Sequence, residues 1–240
     1  MPSCPPSKNM LMLLILRAVW HFWGKVCWNI AMHRTLSLLI ALLALLVSAA
    51  HLSALKRKDR RVSRLTKPFL VPCVYGAAFT FLGFRLPLAA LAASAAVCYT
   101  LGDILLDRKG TIPFILGSLS FILGHLCLSA RSALLSPSPW LIAGAAAAAI
   151  PYALFLLKLR GKEGYWQYMA YGGAVYILLA SSFAAFPGLS SILAVIGAAF
   201  YGYSDSRIMF RMAKIKKTPD HIVMGTYILA NVFLALSLIA

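Results

Sequence analysis

The 240-residue chain is too apolar to fold as a water-soluble domain. Hydrophobic residues make up 61% of it and charged residues only 12%, against about 25% charged residues in soluble proteins. The net charge of +17 could suggest nucleic acid, but the basic residues form short clusters between apolar runs, as the loops of membrane proteins do. The five cysteines are scattered without a C-x-x-C pair, which indicates neither a zinc site nor a disulfide framework. We therefore predict an integral membrane protein with no soluble domain and no nucleic-acid partner.

Eight apolar segments follow one another, and each approaches the roughly 20 residues that a helix needs to cross the hydrocarbon core. The segments are Thr35–Leu55, Pro68–Phe84, Leu86–Asp107, Thr111–Ala130, Ser138–Lys158, Tyr165–Phe186, Gly188–Phe210 and Asp220–Ala240. Backbone polar groups in lipid must be satisfied internally, and these runs are too continuous for the strands of a barrel. The sequence therefore predicts an all-α, polytopic transmembrane helix bundle of about eight helices over residues 34–240.

Residues 1–33 form a separate N-terminal segment. Met10–Met32 is apolar but contains Arg17, Lys25 and three tryptophans. We expect an interfacial helix with its tryptophans at the level of the lipid headgroups. A ninth, extra apolar span and a translation start at Met32 are the alternatives.

Lysines and arginines in alternate connections predict the orientation. The connections after the first, third, fifth and seventh segments contain Lys56, Arg57, Lys58, Arg60, Arg61, Arg64, Lys67, Arg108, Lys109, Lys158, Arg160, Lys162, Arg207, Arg211, Lys214, Lys216 and Lys217. The others contain only Arg85 and Arg131. The positive-inside rule places the first set in the cytoplasm. The membrane would be the cytoplasmic (inner) membrane of a bacterium or the endoplasmic reticulum of a eukaryote.

Two of the six acidic residues, Asp103 and Asp205, lie inside apolar segments, where a charge costs at least ~2.5 kcal/mol. Both are about 25 Å from the outer end of their segments, near the cytoplasmic third of the bilayer. Tyr99 and Tyr201 precede them by four residues and so share their helix faces. The pattern Y-x-x-[GS]-D therefore occurs twice, in segments of the same direction. This repetition indicates a parallel internal repeat with a site between its halves.

Two interpretations of the aspartates follow. They can form a carboxyl pair in a low-dielectric pocket, in which a neutral acid faces an ionised base. Alternatively, each pairs with a nearby cation, Lys67 or Arg207, and only holds helices together. The spacing Asp103-x-x-x-Asp107 matches one magnesium motif of intramembrane prenyltransferases, but a second acidic motif is missing, and we predict no metal site.

Other polar residues are secondary candidates. His125 is expected about 13 Å nearer the outer face than the aspartates, because it lies in the middle of an ascending segment. His51 is expected near the depth of the aspartates. Tyr227 and Asn231 are four residues apart and form a polar stripe on the last segment.

Four stretches of the sequence resemble the YhhN-type lysoplasmalogenase family. They are RLTKPF (Arg64–Phe69), LGDILLDRKGTIPFILGSLSFILGH (Leu101–His125), GAAFYGYSDSRIMF (Gly197–Phe210) and GTYILANVF (Gly225–Phe233). The resemblance extends over roughly Thr35 to Ala240, and Asn231 stands where the family pattern has glutamine. The resemblance implies eight helices and hydrolysis of the vinyl ether of lysoplasmalogens to a fatty aldehyde and a glycerophospho-base.

This chemistry suits two carboxyl groups, because carbon protonation needs an acid and the resulting cation needs an anion or a base. We expect Asp103 and Asp205 to be catalytic, and no cofactor to be required. The residues expected to bind the substrate are Lys67, Tyr99, His125, Tyr201, Arg207, Tyr227 and Asn231. Of these, Lys67 or Arg207 would meet the phosphate.

Two other functions remain open. A proton-coupled lipid or small-molecule transporter would use the same intramembrane aspartates. A packing or scaffold protein would tolerate asparagine at both positions. The expected partners are the lysophospholipid substrate and the bilayer, and the sequence is compatible with an oligomer.

Overall fold

The computed structural model describes residues 8–82, 88–136 and 138–240, with side chains from residue 31 onwards. Its helices are α1 (Lys8–Arg57), α2 (Arg60–Thr66), α3 (Leu70–Phe81), α4 (Ala89–Leu106), α5 (Thr111–Leu135), α6 (Trp140–Leu159), α7 (Tyr165–Ser181), α8 (Leu189–Met212) and α9 (Asp220–Ile239). A 3-10 turn, Lys67–Phe69, joins α2 to α3. The described residues include no strand, and every helix except α2 has at least 12 residues. The prediction of an all-α bundle of about eight helices is confirmed.

Five of the described helices are long and apolar enough to cross a membrane. They are Ala31–Arg57 within α1, and α4, α5, α6 and α9. The chain is therefore a multi-pass membrane protein. With 12 and 17 residues, α3 and α7 are shorter than the roughly 20 residues of a full span, and α8 carries charged residues near its C-terminal end. The number of crossings, eight, stays a prediction.

The N-terminal segment is continuous with the first span, because α1 begins at Lys8. The predicted interfacial tryptophans, Trp20, Trp23 and Trp28, lie outside the residues whose side chains are described. The proposed division at residue 33 also stays a prediction.

The cytoplasmic loop predicted after the first span contains a helix. The Asp59 carboxylate caps α2 by accepting hydrogen bonds from the backbone N–H groups of Arg61 and Val62, at 3.0 and 3.2 Å. An exposed ion pair between Arg64 and Asp107, with 3.2 Å from Nε to Oδ2, joins α2 to the end of α4. This short helix leads directly into the turn that begins at Lys67.

Short connections make α4 and α5, α6 and α7, and α8 and α9 adjacent pairs, as expected for antiparallel neighbours in a bundle. Small residues allow the closest approaches. A Cβ on Gly102 would lie 2.5 Å from the ring of Phe121, and one on Gly197 would lie 2.8 Å from Leu234 Cγ. Because α5 also packs on α7, and α3 on α9, one central core is formed by α3, α4, α5, α7, α8 and α9. Helix α6 packs in a second, smaller cluster with α7 and α8.

The central core is unusual in containing four fully or almost fully buried tyrosines, Tyr75, Tyr99, Tyr201 and Tyr227. Buried tyrosine hydroxyls usually find hydrogen-bond partners. The hydroxyls of Tyr99, Tyr201 and Tyr227 find theirs in the part of the bundle where both intramembrane aspartates lie.

Candidate functional site

Asp103 is buried on α4, with 3% of its surface exposed, and both of its carboxylate oxygens have partners. The Tyr227 hydroxyl on α9 donates a hydrogen bond of 2.6 Å to Oδ2. The Lys67 ammonium, in the turn before α3, is 3.5 Å from Oδ1. Three separate parts of the chain therefore meet at this carboxyl group.

Asp205 is equally buried, at 3% exposed, on α8, and its partners come from two other helices. The Tyr171 hydroxyl on α7 donates a hydrogen bond of 3.0 Å to Oδ2. His125 Nε2, on α5, is 3.6 Å from the same oxygen and has no hydrogen-bond partner. No described residue donates a hydrogen bond to Oδ1, which leaves that oxygen free to accept one from water or substrate.

A layer of aromatic rings lies between the two carboxyl groups. The Tyr99 ring is 5.2 Å from that of Tyr201, which is 5.4 Å from that of Tyr227. The His125 ring packs edge-on against Tyr201 at 4.7 Å. Within this layer the Tyr99 hydroxyl and His125 Nδ1 are hydrogen-bonded at 2.9 Å. Tyr99, His125 and Asp205 therefore form a row of polar groups, hydrogen-bonded from Tyr99 to His125 and with a gap of 3.6 Å from His125 Nε2 to the Asp205 carboxylate.

Asn231 closes the layer from α9. Its Nδ2 donates hydrogen bonds to the backbone carbonyl of Tyr227, at 3.0 Å, and more weakly to the Tyr201 hydroxyl, at 3.4 Å. Its Oδ1 is buried without a partner. Because an unpaired buried acceptor is costly, this oxygen is suited to receive a hydroxyl group of a bound molecule.

Glycines make room for the aromatic layer. A Cβ on Gly124 of α5 would overlap the Tyr99 ring, and Gly102 is in the same position relative to Phe121. These glycines come directly before His125 and Asp103, so the backbone is closest to a neighbouring helix where the polar side chains enter the core.

Of the residues expected at the site, Asp103, Asp205, Lys67, Tyr99, Tyr201, Tyr227, Asn231 and His125 lie in this one region. Tyr99 and Tyr201 do not bond the aspartates four residues after them; the donors to the carboxylates are Tyr227 and Tyr171. A side chain in a helix leans toward the N-terminus, so a long tyrosine points away from the residue one turn later. A neighbouring helix has no such restriction.

Tyr171 was not among the expected residues. The only signal for it in the sequence is a polar hydroxyl within an apolar segment, next to Gly172 and Gly173. Helical spacing could not identify it, because its partner Asp205 is on another helix.

His125 reaches Asp205, although counting along the helices placed it about 13 Å further out. That estimate used Cα positions in straight, parallel helices. The two helices are antiparallel, so the His125 side chain leans toward the end of the bundle predicted to be cytoplasmic, while the Asp205 side chain leans toward the opposite end. Both side chains therefore extend toward each other along the bundle axis, which shortens the distance between His125 Nε2 and the Asp205 carboxylate.

Only one of the two aspartates has a lysine or arginine partner among the described residues. Lys67 pairs with Asp103, whereas the Arg207 guanidinium lies over the exposed Tyr203 ring, 4.6 Å from its centroid. The interpretation that a cation neutralises each aspartate therefore fits Asp103 only.

His51 is fully buried near Lys67, and its Nδ1 is 2.9 Å from Thr66 Oγ1. Among the described residues, no three His, Cys, Asp or Glu side chains form a group that could bind a metal ion.

Comparison with known proteins gives one match. The model of the YhhN family matches residues 62–238, which include both intramembrane aspartates and the four side chains that contact them. No curated protein and no solved structure matches the chain significantly. Because the family match covers well over half of the sequence, the chain belongs to the YhhN family.

Proposed function

We propose that the protein is a lysoplasmalogenase, a membrane hydrolase that cleaves the vinyl ether of lysoplasmalogens with Asp103 and Asp205. The observation that carries this proposal is the pair of buried carboxyl groups on α4 and α8, joined by one layer of tyrosine and histidine side chains. Family membership supports it, and in the part of the chain that the structure describes no lysine or arginine side chain pairs with Asp205.

The reaction begins with proton transfer from a carboxylic acid to the second carbon of the alkenyl chain. The first carbon then becomes an oxocarbenium ion, which the second carboxylate stabilises electrostatically. Water adds to this carbon and gives its proton to a carboxylate. The hemiacetal formed collapses to a fatty aldehyde and the free hydroxyl of the glycerophospho-base. No redox step occurs, and one water molecule is consumed.

The surroundings suggest different roles for the two aspartates. The Lys67 ammonium next to Asp103 favours an ionised carboxylate there, because an opposite charge stabilises the charged form. Asp205 has only the neutral donor Tyr171 and the His125 ring. We assign the anion to Asp103 and proton donation to Asp205, with His125 and Tyr99 as the route by which Asp205 regains its proton.

The remaining side chains fit a single-chain lipid from the cytoplasmic leaflet. Lys67 would bind the phosphate, since it is the cation closest to the carboxylates. The faces of Tyr99, Tyr201 and Tyr227 would surround the cationic carbon, which aromatic rings stabilise. Asn231 Oδ1 would accept a hydrogen bond from the free 2-hydroxyl group that distinguishes a lysolipid from its two-chain relatives.

The proposal is tested by incubating the purified protein in detergent with three lysophospholipids that share headgroup and chain length. One has a 1-alkenyl, one a 1-alkyl and one a 1-acyl chain. We expect fatty aldehyde from the alkenyl lipid alone, because only an enol ether is protonated on carbon to give a resonance-stabilised cation. Fatty acid released from the acyl lipid at a comparable rate would show a lysophospholipase instead.

A proton-coupled lipid transporter is the second candidate, and the row of ionisable side chains Tyr99, His125 and Asp205 within the bundle is the observation that favours it. Such relays move protons in membrane transporters. The two functions differ in one result: a hydrolase releases product in detergent without a gradient, whereas a transporter leaves all three lipids intact there.

A further inference from the structure

A groove opens between α6 and α8, with α7 as its floor, on the side of α8 away from the aspartates. The groove holds a cavity of about 390 Å³. Its walls are mainly apolar and include Leu154, Leu179 and Ala199. Leu154 and Ala199 are exposed, so the groove opens toward the lipid.

Two cations, Lys158 and Arg207, line the cytoplasmic end of this groove. Lys158 is next to the last residue of α6, and Arg207 is in the last two turns of α8. They contact aromatic rings: Lys158 Nζ is 5.7 Å from the centroid of Phe210, and Arg207 Cζ is 4.6 Å from that of Tyr203. Neither forms an ion pair with an acidic residue in the part of the chain that the structure describes.

The groove is separate from the carboxyl pair. Arg207 follows Asp205 by two residues and so lies on nearly the opposite side of the helix. The Tyr176 and Ser206 hydroxyls, which are 3.4 Å apart, line the inner wall of the groove and separate it from the core. A molecule in the groove would therefore occupy a site of its own.

We propose that this groove is a binding site for a membrane phospholipid with an anionic headgroup. Its phosphate is bound by Lys158 and Arg207, and one acyl chain follows the apolar wall toward the middle of the bilayer. The two cations lie at the depth of the cytoplasmic headgroups, where anionic lipids attract basic residues. The ring contacts hold both cations in position without cancelling their charge. This proposal does not depend on the hydrolase activity, and either can fail alone.

The test measures binding of dioleoyl phosphatidylglycerol to the purified full-length protein in detergent by native mass spectrometry. The double variant Lys158→Gln/Arg207→Gln should bind at least about ten-fold more weakly, because two charge-assisted contacts are lost. The matched control is Arg160→Gln/Lys162→Gln, which removes the same charge from the same end of α6 outside the groove, and it should bind as the unmodified protein does. Equal weakening by both pairs would indicate general attraction of anionic lipid and overturn the proposal.

Two further arms identify what the groove recognises. Ala199→Trp fills the apolar wall and should weaken phosphatidylglycerol binding while the cations remain. Glycerol phosphate without acyl chains should not compete at equal concentration. Full competition by glycerol phosphate would show a free-phosphate site, and equal binding of uncharged diacylglycerol would show that the cations are irrelevant; either result contradicts the proposal. A melting temperature in detergent confirms that each variant is folded.

Discussion

A single tyrosine hydroxyl from a neighbouring helix donates to each buried carboxyl group, Tyr227 to Asp103 and Tyr171 to Asp205. Hydrogen bonds to charged groups contribute more than those between neutral groups, and a low-dielectric surrounding strengthens them. At the scale of single residues, the proposed chemistry therefore depends on these hydroxyls as well as on the carboxyls.

Removing the hydroxyl from Tyr227 should slow vinyl ether hydrolysis. We expect Tyr227→Phe to lower kcat by about ten- to a hundred-fold, since a hydrogen bond to a charged group contributes ~1.5–3 kcal/mol. Tyr171→Phe should also lower kcat, because the Asp205 carboxyl that accepts the Tyr171 hydrogen bond becomes a carboxylate as it gives up its proton. The measurement is aldehyde release at saturating substrate, with Tyr165→Phe at the start of α7 as the control. Unchanged kcat in both site variants would show that the hydroxyls do not assist the carboxyls.

Asn231 should determine the preference for a free 2-hydroxyl group. Asn231→Leu removes the buried acceptor and should raise KM by about ten-fold, whereas Asn231→Gln keeps an amide and should change KM less. A 2-deoxy substrate analogue completes a thermodynamic cycle in which the amide and the hydroxyl group are removed singly and together. The KM for this analogue should be high for the unmodified protein, and Asn231→Leu should not change it. Equal sensitivity of both substrates to Asn231→Leu would show that the amide acts elsewhere.

At the scale of helices, the distance between α8 and α9 sets the distance between Tyr201 on α8 and its contacts Tyr227 and Asn231 on α9. Gly197 faces the α9 backbone, where an added Cβ would be 3.0 Å from the Ala230 carbonyl oxygen and 3.0 Å from the Leu234 nitrogen. Backbone atoms cannot rotate away as a flexible side chain can. The glycine is therefore required for this close packing.

Gly197→Ala should destabilise the bundle by about 1–3 kcal/mol, the usual cost of overpacking. Gly225→Ala on α9 is the matched control, because no atom lies within 4 Å of its added Cβ. It should be neutral or stabilising by up to ~1 kcal/mol, since alanine favours a helix more than glycine does. Melting temperatures in detergent measure both, and a greater loss for Gly225→Ala would contradict the packing described.

Most helices could be predicted from the sequence, because apolar length alone determines which segments enter lipid. Thr111–Ala130 became α5 (Thr111–Leu135), and Tyr165–Phe186 became α7 (Tyr165–Ser181). The short helix α2 could not be predicted, because it lies in a basic loop and its only start signal is the capping residue Asp59. The carboxyl pair was identifiable by its cost in lipid. Its partner Tyr171 was not, because contacts between helices leave no periodic pattern along one chain.

At the scale of the whole molecule, the bundle has one strongly basic end. The connections carrying Lys56–Lys67 and Lys214–Lys217 lie at the same end as Asp103 and Asp205 if successive helices alternate in direction. The positive-inside rule predicts that this end, and so the proposed site, faces the cytoplasm.

Labelling of introduced cysteines tests this orientation. In a variant from which the native cysteines have been removed, an impermeant maleimide applied to intact cells should label Ser136→Cys between α5 and α6. It should label Lys216→Cys between α8 and α9 only after the cells are permeabilised. Labelling of Lys216→Cys in intact cells would show the opposite orientation, and the substrate would then be expected from the opposite leaflet.

The most direct test of the two-carboxylate reaction is aldehyde release from 1-alkenyl lysophospholipid by Asp103→Asn, Asp205→Asn and Asp107→Asn. Asparagine keeps the size of aspartate but can neither give nor take the catalytic proton. Asp103→Asn and Asp205→Asn should each lose at least about 10²-fold in turnover while remaining folded, as expected for general acid–base groups. Asp107→Asn, one helical turn after Asp103 and paired with Arg64 at the surface, should keep normal turnover. Near-normal turnover in either Asp103→Asn or Asp205→Asn would contradict the proposed mechanism.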